Sequence, residues 1–256
     1  MSPLEALLIG LAGLAAGTIN TVVGSGTLIT FPTLLAFGVP PVTANVSNTV
    51  GLVPGSVSGA IGYRRELRGQ GGRILRLASA SLLGGLVGAV LLLTLPKAAF
   101  EAIVPGLVGL GLLLVIFGPR ISAWVARRHE ALGRSALGPT GARWVWPAVA
   151  LTGVYGGYFG AAQGVLLMAV MGIGIAESLQ RLNAVKNVLA AVTNAVSGVL
   201  FVVIADVDWQ VAGLIAAGAI IGGQVGATVG RRLPDVVLRW VIVAVGTVAL
   251  AVFLTR

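Results

Sequence analysis

Eight long apolar segments run along the chain, near residues 3–23, 42–62, 74–95, 98–118, 146–163, 176–202, 210–230 and 236–254, separated by short polar connections. Most reach the ~20 residues that a helix needs to cross hydrocarbon. Two further apolar pieces, near 27–37 and 164–173, are about half that length. Each follows a break in the pattern: Gly24-Ser25-Gly26 in one case, Gly160-Ala161-Ala162-Gln163-Gly164 in the other. Irregular backbone at membrane depth persists only where it is buried in protein or lines a cavity. The pattern therefore predicts an all-α polytopic membrane bundle of about eight long helices plus two short re-entrant or broken segments, with the breaks as the first functional suspects.

Composition supports the membrane class. Hydrophobic residues make up 57% of the 256, and charged residues 10%, against about 25% charged in a soluble domain. The 38 glycines are roughly twice the usual share, as expected where helices approach closely in lipid. Cysteine is absent, which excludes disulfides, thiolate metal sites and cysteine nucleophiles. The N-terminus, Met1 to Glu5, lacks the positive region of a signal peptide and reads as the start of the first helix.

The net charge of +9 does not indicate nucleic-acid binding, because the basic residues sit mainly in connecting loops. Arg64, Arg65, Arg68, Arg73 and Arg76 form one cluster, and Arg120, Arg127, Arg128, Arg134 and Arg143 a second. Arg231, Arg232 and Arg239 form a third. All three are expected on the cytoplasmic side. The loop with Asp206 and Asp208 has no basic residue and is expected outside; Lys97 is a minor exception.

The chain also repeats itself. Residues 84–96 and 222–234 share seven of 13 aligned positions at an offset of 138. Nearly the same offset pairs Gly17 and Gly24 with Gly153 and Gly160, and Asn48 with Asn187. Two membrane repeats, 1–118 and 146–256, are thus expected on either side of a cytoplasmic connecting loop at 119–145. Loops that correspond carry opposite charge, so the repeats are expected to be inverted, with both termini outside. Each short segment must then carry the chain across. A parallel four-plus-four arrangement, with short segments that only dip into the membrane, is the alternative.

Candidate chemistry concentrates around Lys186. It lies about nine residues into a helix starting near Glu177, hence roughly 13 Å deep. An ionisable group at such depth is costly unless paired or hydrated. The structural reading is a side chain that snorkels to the surface, but Arg181 already holds that position. Asn183 and Asn187 share a helix face with Lys186. The first half offers Thr43, Asn45, Ser47 and Asn48, with Ser47 where the repeat places Lys186. The breaks add Asn20, Gly24, Ser25, Gly26, Thr27, Gly160, Gln163 and Gly164. Interhelical hydrogen bonding is the plain alternative for the amides.

Helices restarting after a glycine break present N–H groups and a partial positive charge, which favour anions. The eight acidic residues fall at or near segment ends, and the one histidine, His129, is in the central loop. No catalytic set, metal site or cofactor site is expected. One buried cation, helix N-termini and amides amount to an anion site. Gly218, Gly222, Gly226 and Gly230 recur every four residues and read as a flat packing face.

The stretch from Thr18-Ile19-Asn20 through Gly24-Ser25-Gly26-Thr27-Leu28-Ile29-Thr30-Phe31-Pro32 resembles the opening of the sulfite exporter TauE/SafE family. So do Val42-Thr43-Ala44-Asn45 to Ser58-Gly59-Ala60 and the region from Gly153 to Gly198. The resemblance implies a multi-pass permease of the bacterial cytoplasmic membrane for sulfite, sulfonates or related organosulfur anions. Its partners would be a small anion and the lipid bilayer, with no nucleic acid; a homo-oligomer stays open. The residues themselves also leave an anion channel, an intramembrane Ser–Lys hydrolase using Ser25 or Ser47, and a membrane scaffold as rivals.

Overall fold

The computed structural model describes residues 1–132 and 141–228, with a few isolated positions beyond 239. Most of the expected segment at 236–254, together with Gly230, Arg231, Arg232 and Arg239, lies outside the described residues. These residues form nine helices and no strand: α1 Pro3–Val22, α2 Thr27–Ala36, α3 Pro41–Gly62, α4 Gly71–Thr94, α5 Lys97–Leu132, α6 Val145–Tyr158, α7 Gln163–Gly174, α8 Leu179–Ile204 and α9 Trp209–Thr228. Five of them, α1, α4, α5, α8 and α9, contain stretches long and apolar enough to cross a membrane. The chain is an all-α, polytopic membrane protein.

Two boundaries differ from the sequence reading. The segment expected to run to 163 stops at Tyr158, because the chain turns at Gly160 with φ +76°. Helix α5 continues to Leu132 through residues expected as loop; Pro119 interrupts but does not end it. Helix α3 has 22 residues yet is not among the five apolar spans. Its Asn45, Ser47, Asn48, Thr49, Ser56 and Ser58 are buried, so its polar face is turned into the protein.

Glycine stripes set the packing. Gly13 and Gly17 of α1 abut Ile215 and Ala219 of α9, while Gly218, Gly222 and Gly226 of α9 abut α1 from Gly10 to Thr21. A Cβ at Gly222 would lie 2.1 Å from the Leu14 carbonyl oxygen, so the two backbones touch. The contact partners advance together along both helices, hence α1 and α9 run parallel. The other half shows the same device: Gly84 and Gly88 of α4 step along Ala150 and Val154 of α6.

The remaining directions follow from similar contacts. Gly51, Gly55 and Gly62 of α3 step along Ile215, Ala219 and Ala227 of α9. Thr193 bonds to the Ser81 carbonyl and Ser197 to that of Gly85, which aligns α8 with α4. Helices α3 and α8 instead run antiparallel: Gly198 faces Val50, Asn194 meets Ser56, and Arg181 reaches the Arg68 carbonyl. Thus α1, α3 and α9 point one way, and α4, α6 and α8 the other. Helices α2 and α7 are short return arms that hairpin onto α3 and α8 through the loops at 37–40 and 175–178.

The ends of the bundle differ chemically. At one end Glu177 bonds Arg73 and Arg181, each at 3.2 Å, and joins the start of α4 to the start of α8. The basic loop at 63–70 lies at this end. At the other end the Asp208 N–H donates to Ser47 Oγ at 2.9 Å. Positive charge therefore gathers at one end, as an oriented membrane protein requires.

Candidate functional site

The two breaks meet inside the bundle. After α1, Gly24 turns the chain at φ +90°, and after α6, Gly160 does so at φ +76°. The Gly164 N–H donates to the Gly24 carbonyl at 2.9 Å. A Cβ on Gly24 would stand 2.3 Å from the Gly164 Cα, so no larger residue fits either side of this contact. Phe159, at the second break, sits edge-on to Phe31 of α2 with ring centroids 5.0 Å apart. Helices α2 and α7 therefore begin at a shared crossing, each presenting its N-terminal end there.

Turning a helix leaves carbonyls without their usual partners. The N–H groups of Val23 and Gly24 both bond to the Ile19 carbonyl, so those of Asn20 and Thr21 need other donors. Helix α8 supplies them. Lys186 Nζ donates to Asn20 O at 3.0 Å and to Thr21 O at 3.1 Å. Asn183 and Asn187 each donate to Thr21 O at 3.3 Å. The stem of Lys186 lies on Gly164, where a Cβ would approach its Cδ to 3.0 Å.

Lys186 is 0% exposed, the most telling burial in the chain. The snorkelling reading is excluded. It is the one charged side chain in the buried set among the described residues, and its Nζ partners are neutral carbonyls. An ammonium has three N–H groups, and these two bonds use two of them. The C-terminal dipole of α1 offsets part of the charge, the equivalent of about half an elementary charge. When the side chain is protonated, the rest of its charge is left without a counter-charge at the crossing.

The first-half residues take different places. Asn48 and Thr30 share a short hydrogen bond, and Asn48 also donates to Thr27 Oγ1 at 3.3 Å. Asn45 donates to the Tyr158 carbonyl at 2.9 Å, capping the end of α6. Ser47, placed opposite Lys186 by the repeat, is not brought to the crossing; it holds the Asp208 N–H instead. Asn20 and Asn194 both reach Ser56 Oγ at 3.4 Å. Gln163 donates to Thr193 at 3.1 Å and fills the space over Gly156. Gly26 opens α2 as its N-cap, packed on the Ala16 carbonyl.

Ser25 Oγ, Asn45 Oδ1 and Asn183 Oδ1 are buried without a hydrogen-bond partner among the described residues. Such groups are costly in a closed core, and all three belong to the residues of the breaks or of the helices that cap them. Sequence reasoning passed over Ser56, although its spacing of eight from Asn48 puts it on the same face of α3. Neither Ser25 nor Ser47 hydrogen-bonds Lys186, so the geometry gives a Ser–Lys hydrolase no support. No group of three metal-ligating side chains occurs among the described residues.

Residues 9–254 match the family model for sulfite exporter TauE/SafE. The chain belongs to the TauE/SafE family. It is 26% identical over 215 residues to a probable membrane transporter protein of Haemophilus influenzae, covering 84% of this chain and 81% of that one. The probable membrane transporter protein ORF9 of a Sinorhizobium species is 27% identical over 245 residues, covering 94% and 88%. The probable membrane transporter protein YfcA of Escherichia coli K12 is 26% identical over 252 residues, covering 97% and 89%. No solved structure matches. Both glycine breaks and Lys186 lie inside the matched TauE/SafE region, and the chain is a membrane transporter by family.

Proposed function

We propose that this TauE/SafE transporter is an alternating-access permease for a small oxoanion, sulfite or a related organosulfur anion, in a bacterial inner membrane. The observation that carries the reading is Lys186: a fully buried ammonium, bonded to neutral carbonyls, at the crossing of two helix breaks. An uncompensated buried charge is expensive, and an anion from either side would neutralise it. The halves 1–118 and 146–256 act as inverted copies. The antiparallel run of α3 against α8, and the α1–α9 and α4–α6 stripes that exchange under the repeat, support this.

Roles follow from the bonds. The third N–H of Lys186, the Ser25 hydroxyl and the first N–H groups of α2, at Gly26 and Thr27, would receive the anion. At α7 the Gly164 N–H already donates to the Gly24 carbonyl and the Gln163 N–H to that of Gly160, so these two residues shape the cradle and do not donate to the anion in this state. Asn45, Asn48, Asn183 and Asn187 already donate to protein acceptors. They hold the breaks in this state and gain freedom to donate to substrate when a break shifts. Gly24 and Gly160 are the pivots. Asn20 and Ser47 tie the moving parts, Asn20 through Ser56 and Ser47 through the loop before α9.

An inside-negative potential favours exit of a monoanion by about 2.3 kcal/mol per 100 mV, so export needs no coupling ion. A panel of small anions competing with radiolabelled sulfite in proteoliposomes tests the reading. Oxoanions should compete, while organic cations and neutral sulfoxides should not. Efflux indifferent to every anion in the panel would overturn it.

A further inference from the structure

Broken helices in transporters expose carbonyl oxygens, and in many such proteins a coupling cation binds to them. The first break has this chemistry. Asn20 O and Thr21 O are released by the turn at Gly24, and Asn183 Oδ1 is buried beside them without a partner. The group that sits against the two carbonyls is the Lys186 ammonium, at 3.0 and 3.1 Å.

We infer that the end of α1 is a monovalent-cation site whose cation is supplied by the protein itself: the Lys186 ammonium occupies it, tethered from α8. Three observations converge. The ligands are oxygens: two main-chain carbonyls, neutral hard donors of the kind small hard cations take. The tether is fully buried, and its stem is seated in the gap that Gly164 leaves open. No carboxylate belongs to the buried set among the described residues, so the ammonium is held by dipoles, as a bound alkali ion would be. A tethered cation does not dissociate. Anion movement then proceeds without a sodium or potassium gradient, and removing the tether should convert an uncoupled carrier into a cation-dependent one.

The transport consequence rests on the permease reading; the cation site itself does not, and thermal melting separates them. Purified Lys186→Met and Lys186→Gln proteins are melted in choline chloride and in sodium, potassium and lithium chloride. The wild type should melt at the same temperature in all four salts. Each variant should melt lower in choline and recover saturably in one of the small cations, by roughly 5 °C. Variants that melt alike in every salt would overturn the inference. Should neither variant purify in choline, purification is repeated in the small cations: folded protein recovered in one of them supports the site, and loss in all overturns it. A wild type that moves no sulfite, with variants that still show the cation-specific shift, would sink the permease reading and leave the site standing.

Discussion

At the first break the N–H groups of Val23 and Gly24 converge on the Ile19 carbonyl; at the second those of Phe159 and Gly160 converge on that of Tyr155. The backbone solution is the same in both. What meets the stranded carbonyls is not. The end of α1 receives an ammonium and two amides, all from α8, whereas the end of α6 receives the Asn45 amide from α3. Ser47, which the repeat sets opposite Lys186, has gone to the α8–α9 loop instead. The two turns are thus alike in backbone, while the lysine stands at the first of them.

Substitutions at the pivots should break this comparison most severely. Gly24→Ala puts a Cβ 2.3 Å from Gly164 Cα and forces a left-handed φ on a larger residue. We expect almost no folded protein by size-exclusion chromatography. Gly160→Ala meets nothing closer than 3.0 Å, so the left-handed φ is the main cost, about 1–2 kcal/mol. That protein should purify and melt a few degrees lower. Equal outcomes at the two glycines would show that the crossing is not as tight as the geometry requires.

Next come the matched amides. Asn48→Leu loses both the Thr27 and Thr30 bonds, while Asn187→Leu removes one of three donors to Thr21 O. Interhelical bonds in membranes average about 0.6 kcal/mol, so Asn48→Leu should cost roughly twice as much in thermal melting. Ala162 offers a gain of similar size. It sits at φ 60°, and Ala162→Gly should stabilise by about 1 kcal/mol, with no counterpart at the first break.

The smallest effect belongs to the ionic link at the basic end. Burial raises the Glu177 pKa, but hydrogen bonds from the Ser178 N–H, Arg73 and Arg181 outweigh it and hold the carboxyl below its ordinary value. A lowered folded-state pKa means the link contributes fully above the ordinary carboxylate range and is lost as pH falls through the folded value. Melting curves of wild type and Glu177→Gln should differ slightly at neutral pH and converge in acid. A gap that persists in acid would assign the difference to packing.

Much of this fold was legible because membrane helices announce themselves by length and hydropathy: most helix boundaries fall within a few residues of the apolar segments. The breaks were visible as glycine clusters, and depth alone marked Lys186 as buried. The partners of Lys186 were not legible. They are main-chain carbonyls at the end of α1, and nothing in residue identity shows which carbonyls a turn strands. Ser47 misled for a related reason: a repeat predicts where a position lies along its helix, while the neighbouring loop at 205–208 decides what it bonds. Helix α3 was legible as the apolar segment at 42–62, although its buried polar face keeps it out of the five strictly apolar spans.

The buried charge is the centre of the account, and its most direct test is sulfite movement through Lys186→Met in proteoliposomes, measured in sodium chloride and in choline chloride beside the wild type. The wild type should transport equally in both salts, and the variant should fall to the background of empty liposomes in choline. A variant that carries sulfite at the wild-type rate in choline would contradict it.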